Sequence, residues 1–412
     1  MADKRGHRSR KGAETDSSKY RASSVELFSR EIVADKNTSK KIYSRDVDNL
    51  YPLRLERVIN NSPTGRRGAN LMAKYIAGNG NDFNFKIGKK NGKDYFINDL
   101  IRESANYLAK QGGVYFKLKY VLDLNASSGS KLIFKVGSST LLNYVLMAKA
   151  QEDDEGYDGK FYIMGADDSG SLKTGEDEID KWLYPHSADP KIILSQMKAD
   201  CKLKEIENPS IEDLIRNFRG QVFYLNTTPE YIYALPLGDM VYNDMDTEFR
   251  ISNYHNTQTR KGFLGKTIIT KYEADEDDAE EFEEELQTFL GSENSGSVFI
   301  VEVPEETTVE LDKAFHVEQL KPQFDDKLFD ITSKSIRQNI LGAFNNIPEP
   351  LIFAGSTLFG TSADTYAQMK LFYWEQNEYE RSLLEQTLRL FGYDVNILPL
   401  VQEKTKQTDQ DV

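Results

Sequence analysis

The chain has 412 residues, 39 % hydrophobic and 29 % charged, with a formal net charge of −14. This is an ordinary globular composition with length for two or three compact units, and its acidity argues against a surface that grips phosphates throughout, which needs clustered Lys and Arg. Cys201 is the single cysteine, which excludes an internal disulfide and suits a reducing compartment; no apolar run reaches the roughly 18 residues of a membrane helix, and the opening residues have no secretory apolar core.

Residues 1–45 are polar and begin basic, with Lys4, Arg5, Arg8, Arg10 and Lys11. They read as a flexible arm, either a plain tail or a segment that binds nucleic acid or a partner. Leu53, Leu55, Val58 and Ile59 then predict a short helix. Ser62-Pro63 punctuates it, with Pro63 suited to the first turn of a second helix that ends at Gly78 and Gly80. FNFKIG is a predicted strand, FINDLIRESANYLAKQ a helix, and VYFKLKYVLDL, KLIFKVG and LLNYVLMAKA strands. Residues 151–220 carry little signal; the stretch QEDDEGYDGKFYIMGADDSGSLKTGEDEIDKW within them reads as acidic, Gly-rich loop with FYIM as one strand.

From Gly238 the pattern changes. Val241, Met245 and Phe249 predict a helix of about 23 residues, about 35 Å long at 1.5 Å per residue. Strand KTIITKY, acidic helix DEDDAEEFEEELQTFLG and strands SVFIVEVP and TVELDK follow as a small β-α-β-β unit. A second long helix carries Phe329, Ile336, Ile340 and Phe344. After it comes NNIPEPLIFAGSTLFG, an apolar loop where loops are normally polar. A third long helix, about Ser362 to Phe391, precedes a short strand, YDVNILPLV, and a polar tail.

Chemistry-bearing motifs are weak. Gly265-Lys266-Thr267 has the ending of a phosphate-binding loop, but the preceding glycine is missing, Arg260 standing in its place. The order helix-then-strand is also the reverse of what such a loop needs. A nucleotide-binding enzyme centred there remains an alternative. GKKNGKD at Gly88–Asp94 fails on spacing. His7, His186, His255 and His316 are scattered without His or Cys at ligand spacing, so no metal and no cofactor are expected. The acids between Asp275 and Glu285 alternate with Phe282, Leu286, Phe289 and Leu290, as on a solvated amphipathic helix. Met369, Phe372, Tyr373 and Tyr379 read as packing residues rather than a base-stacking platform. No catalytic constellation emerges, and the chain is not expected to be an enzyme.

Taken in order, several blocks resemble the portal proteins of tailed bacteriophages. YPLRLERVINNSPTGRRGANLMAKYIAGNG is similar to the family's opening helices, and LIRESANYLAKQGGVYFKLKY to its wing helix and strand. ALPLGDMVYNDMDTEFRISNYHNTQTRKGFLGKTIITKY resembles the first stem helix running into the clip. IRQNILGAFNNIPEPLIFAG resembles the block ending in the tunnel loop, and SADTYAQMKLFYWEQ the helix after it. Little follows the third long helix, which puts a full crown domain in doubt.

The resemblance implies an α+β subunit that assembles as a ring. Its parts would be a basic arm (1–45), an α/β wing (46–236), a first stem helix (237–261), a β-α-β-β clip (262–321), a second stem helix (322–346), a tunnel loop (347–361), a C-terminal helix and strand as a reduced crown (362–400) and a tail (401–412). Ile347, Pro348, Pro350, Leu351, Ile352, Phe353, Gly355, Leu358 and Phe359 would face a channel. Asp275, Glu276, Asp278, Glu281, Glu284 and Glu285 would form part of a clip docking surface. The implied role is a portal, usually a dodecamer in the virion, through which double-stranded DNA is packaged and ejected without sequence-specific contacts. It would be made in the bacterial cytoplasm and reside at one capsid vertex. Partners would be the terminase large subunit, head-completion or adaptor proteins, and the major capsid or scaffolding protein. A structural oligomer not threaded by DNA is a further alternative.

Overall fold

The computed structural model describes residues 34–37, 42–46, 49–125, 127, 132–150, 160–163, 165–166, 172–173, 182–260, 267–272, 298–303, 317–319, 326–353 and 363–400. The acidic positions Asp275, Glu276, Asp278, Glu281, Glu284 and Glu285 lie outside them, as do Gly355, Leu358 and Phe359.

Strands β1 (Ala34–Asn37) and β2 (Ile42–Arg45) form an antiparallel pair within the segment expected to be a loose arm. Ile42, Tyr43 and Arg45 are buried, so order begins before residue 46. The Arg45 guanidinium explains why. It donates to the Asn49 side chain and to the carbonyls of Tyr144 and Met147, and its carbon lies 5.1 Å from the Tyr144 ring centre and 4.7 Å from that of Tyr233. Carbonyl dipoles and ring faces here replace a carboxylate partner.

Helices α1 (Tyr51–Asn61) and α2 (Pro63–Ala77) meet at Ser62, whose hydroxyl caps α2 by accepting the Gly65 N–H at 2.9 Å. β3 (Lys86–Lys90) and β4 (Lys93–Phe96) are a hairpin with Asn91 and Gly92 both at positive φ (51° and 77°). That two-residue turn is what NG favours between strands, and it accounts for GKKNGKD without a ligand. α3 (Ile97–Gln111) leads into β5 (Gly113–Leu122) and β6 (Phe134–Leu141). β7 (Met147–Lys149) and β8 (Phe161–Ile163) follow, with a minor pair, β9 (Gly165–Ala166) and β10 (Leu172–Lys173).

With β11 (Trp182–Pro185) and β12 (Gln221–Asn226) the main sheet has the order β6-β5-β12-β11-β8-β7. β11 and β12 are its parallel pair. A parallel pair needs a crossover, usually helical, and the chain supplies α4 (Pro190–Leu203) and α5 (Ile211–Asn217) between them. Both lie in the segment whose sequence carries little signal. Each has a start signal. The Asp189 side chain accepts the Lys191 N–H ahead of Pro190, and Ser210 and Asp213 form a capping box.

Helix α6 (Tyr242–Arg260) is preceded by a 3₁₀ turn, Leu237–Val241, so its regular part is shorter than expected. β13 (Thr267–Tyr272), β14 (Val298–Val303) and β15 (Val317–Gln319) make a three-stranded sheet of order β14-β13-β15, with β13 parallel to β14 and antiparallel to β15. α7 (Asp326–Ala343) follows. The third long helix is broken in two, α8 (Ala363–Gln376) and α9 (Glu378–Leu390). Buried Asn377 interrupts it: its amide donates to the Tyr373 carbonyl at 2.7 Å, competing with the backbone ladder. Residues 393–400 form no regular strand and pair with the fold by one bridge, Asn81–Ile397, rather than as the expected strand.

The largest hydrophobic core among the described residues joins the helices to the main sheet, while Tyr115, Tyr144, Met147 and Phe161 belong to a second cluster and Ile42 and Ala148 to a third. Leu55, Ile59, Met72 and Ile76 from α1 and α2 pack with Leu100 and Leu108 of α3, Phe116 of β5 and Leu384 and Leu388 of α9. Met245 of α6 and Ile336, Ile340 and Phe344 at the end of α7 enter the same core, so both long helices are rooted in it.

Candidate functional site

The α7 helix stops at two consecutive asparagines in the left-handed region, Asn345 and Asn346 (φ 56° and 53°). Asparagine tolerates that conformation better than other residues with a side chain. The Asn346 and Ile347 N–H groups reach back to the carbonyls of Gly342 (3.1 Å) and Leu341 (2.9 Å). The Asn345 amide donates to Asn377 Oδ1 and Glu380 Oε1, both at 3.2 Å, tying this stop to the break between α8 and α9.

The apolar loop then starts as a tight turn. Glu349–Leu351 is a 3₁₀ turn, and the Phe353 N–H donates to the Glu349 carbonyl at 2.9 Å. Pro348 and Pro350 fix φ and cannot donate, so the helix cannot continue. Ile347, expected to face outward, is 5 % exposed and belongs to the core, where it anchors the loop's base. Pro348, Pro350, Leu351, Ile352 and Phe353 are half-buried, the last three resting on the core's edge.

Phe353 projects into a groove of about 730 Å³ between the start of α2, the outer part of α6 and α7. Arg67, Glu248, His255, Lys334 and Arg337 are its charged or titratable lining, and Ile251, Ile331 and Ile336 its apolar lining. The guanidinium carbons of Arg67 and Arg337 lie 5.6 and 5.7 Å from the Phe353 ring centre, so the ring attracts two cations. Glu248 is already engaged, accepting from the Ser62 and Thr64 hydroxyls and the Thr64 N–H. Among its described lining residues the groove therefore presents net positive charge beside apolar surface in an acidic chain.

Of the groove residues, Phe353 and His255 stand out in the sequence; Arg67, Glu248, Lys334 and Arg337 do not. Ile331, Lys334 and Arg337 recur every third residue, which puts them on one side of α7 and is the signal that could have revealed them. Thr267 opens β13, a strand, whereas a phosphate loop needs a helix start at that point; Gly265 and Lys266 lie outside the described residues. Among the described residues no group of three or more His, Cys, Asp or Glu could hold a metal ion, and no helix is long and apolar enough to cross a membrane. Tyr373 is buried, as expected, against Tyr75, but Phe372 and Tyr379 are exposed rather than packed.

No family model and no curated protein matches the chain. Among solved structures, it is similar to a chain in the virion of a native gene transfer agent particle, with 13 % identity, a TM-score of 0.41 and coverage of 87 % of this chain and 84 % of that one. Two further similar chains are in necks of such particles. One, from an empty particle computed with C6 symmetry, has 13 % identity, TM-score 0.37 and coverage of 78 % and 75 %. The other, from a native particle computed with C12 symmetry, has 15 % identity, TM-score 0.39 and coverage of 82 % and 77 %. Likeness at this level establishes neither a shared fold nor a shared role.

Proposed function

We propose that the chain is a portal-type subunit, which forms a ring at one capsid vertex and passes double-stranded DNA. One observation carries the reading. Two long helices, α6 and α7, touch where they enter the core, with the Asn339 amide donating to Asp244 at 3.3 Å. They bracket a small mixed sheet in the chain, and α7 runs straight into a Pro-rich apolar turn. That is the order stem helix, clip, stem helix, tunnel loop. An apolar loop is tolerable when identical copies of it meet around an axis and shield one another.

On this reading the net acidity has a purpose. DNA must slide, and every tight phosphate contact would act as a brake. The sheet β13–β15 and the acidic segment between β13 and β14 would dock the terminase motor and later the head-completion proteins. The chain needs no cofactor of its own; ATP hydrolysis would belong to the terminase.

Electron-microscope images of the purified protein test the proposal. Rings with an axial opening wide enough for duplex DNA are expected. Monomers, or closed oligomers with no such opening, would overturn it, the latter in favour of a structural oligomer not threaded by DNA.

A further inference from the structure

We infer that the basic groove between α2, α6 and α7 receives the exposed face of α8 from a second copy of the chain, in a head-to-tail contact. Arg67, Lys334 and Arg337 line the groove without a carboxylate partner among the described residues. Glu248, the one acid among the described lining residues, is occupied by Ser62 and Thr64. Ile331 at the same surface is 68 % exposed. A chain of net charge −14 has gathered, in one cleft, cations with no carboxylate partner among the described residues beside bare apolar surface.

The complementary surface lies on the same chain. Asp364, Gln368, Phe372 and Glu375 follow one another at intervals of four, four and three residues, which aligns them along one side of a helix. All four are exposed, Phe372 by 44 %. Asp364 and Glu375 have no cation partner among the described residues. No residue of α8 lines the groove, so the two surfaces are distinct. Phe372 can cover Ile331 while the acids meet Lys334 and Arg337. Rim ion pairs alone add little affinity; here they set orientation, and apolar burial supplies the driving force.

Two different complementary surfaces on one chain make a heterologous contact, which propagates until its rotation closes. Closure into a ring rests on the portal reading; the contact itself does not.

The test is charge reversal and mixing. One variant carries Lys334→Glu and Arg337→Glu, the other Asp364→Lys and Glu375→Lys, with native circular dichroism and melting required of each. The single changes Lys334→Glu and Glu375→Lys replace any double variant that misfolds. Each reversed protein alone should lose the oligomer, its fraction falling by about tenfold or more at a given concentration. Mixing the two should restore an oligomer of alternating copies, read by native mass spectrometry, because each reversed face then meets its opposite. Oligomers that survive either reversal, or that mixing fails to restore, would overturn the contact while leaving the ring intact as a hypothesis. A restored species that is only a two-fold dimer would overturn the head-to-tail geometry. A monomeric wild type would overturn both the contact and the portal reading.

Discussion

The Glu248 carboxylate on α6 accepts the Thr64 N–H at 3.1 Å and the Thr64 hydroxyl at 2.6 Å. A long helix is thereby bolted to the first turn of α2, whose unpaired N–H groups and positive end favour an acid at that point. The Ser62 hydroxyl joins the same carboxylate. Glu248→Ala should lower stability by about 2 kcal/mol, the typical worth of hydrogen bonds to a charged group. Glu248→Gln, which keeps one acceptor, should lose about half as much. Urea denaturation at neutral pH measures both; equal stabilities of all three proteins would show that the contact does not hold α6 in place.

Gly78 should tolerate no side chain. Its φ of 54° and ψ of −145° suit glycine. An added Cβ would sit 2.3 Å from the Leu398 carbonyl oxygen, a backbone atom that cannot swing away. Gly78→Ala should cost about 2 kcal/mol or more, read as a drop in melting temperature. Gly92→Ala, at a turn where a new Cβ meets nothing within 4 Å, should cost less.

His186 should make the fold acid-sensitive. Burial pushes its pKa below the ordinary 6.5, a fall only partly opposed by its hydrogen bond with Gln221. Its ring is enclosed by Phe223 and Phe391 and meets the Tyr120 hydroxyl at 3.2 Å. Above the unfolded-state pKa both states are neutral and the group is silent. Below it the unfolded chain takes up a proton that the folded one resists, so stability falls as pH drops from about 6.5 through the folded-state value. His186→Gln should flatten this part of the stability–pH curve, measured by denaturation between neutral and mildly acid pH.

Phe353 should be energetically coupled to Arg67. Phe353→Leu keeps apolar contact with the core's edge but removes the ring face. With both guanidinium groups within reach of the ring, the loss should be about 1 kcal/mol. A double-mutant cycle with Arg67→Gln should return a coupling of about 0.5 kcal/mol or more; strictly additive effects would mean that the ring and the guanidinium do not interact.

The sequence was most legible where one face of an element is apolar and its ends are punctuated. Ser62-Pro63 and Gly78 bound α2 on both sides, and Ile97, Leu100, Ile101, Ala105 and Leu108 mark the buried face of α3. α4 and α5 escaped because their exposed apolar residues blur the stripe: Ile192 is 43 %, Leu203 46 % and Ile211 41 % exposed. The break at Asn377 could not be read from periodicity, because one asparagine in a helix is usually solvated; here its burial turns the amide onto the backbone. The apolar character of the loop after α7 was plain, but its anchoring was not. That Ile347 is buried and Phe353 lies near Arg67 depends on α2, nearly three hundred residues earlier in the chain.

The bridge between Asn81 and Ile397 has a consequence for how the molecule is born. Beside it the Leu398 N–H donates to the Gly80 carbonyl and the Leu398 carbonyl accepts the Asn79 N–H, and Leu384, Leu388, Phe391, Val395 and Ile397 complete an interior begun by α1 and α2. A chain emerging from the ribosome holds that interior open until α9 and the residues after it arrive. Closure of this interior is thus a late event in synthesis, waiting on Leu384 to Ile397 rather than on any earlier segment.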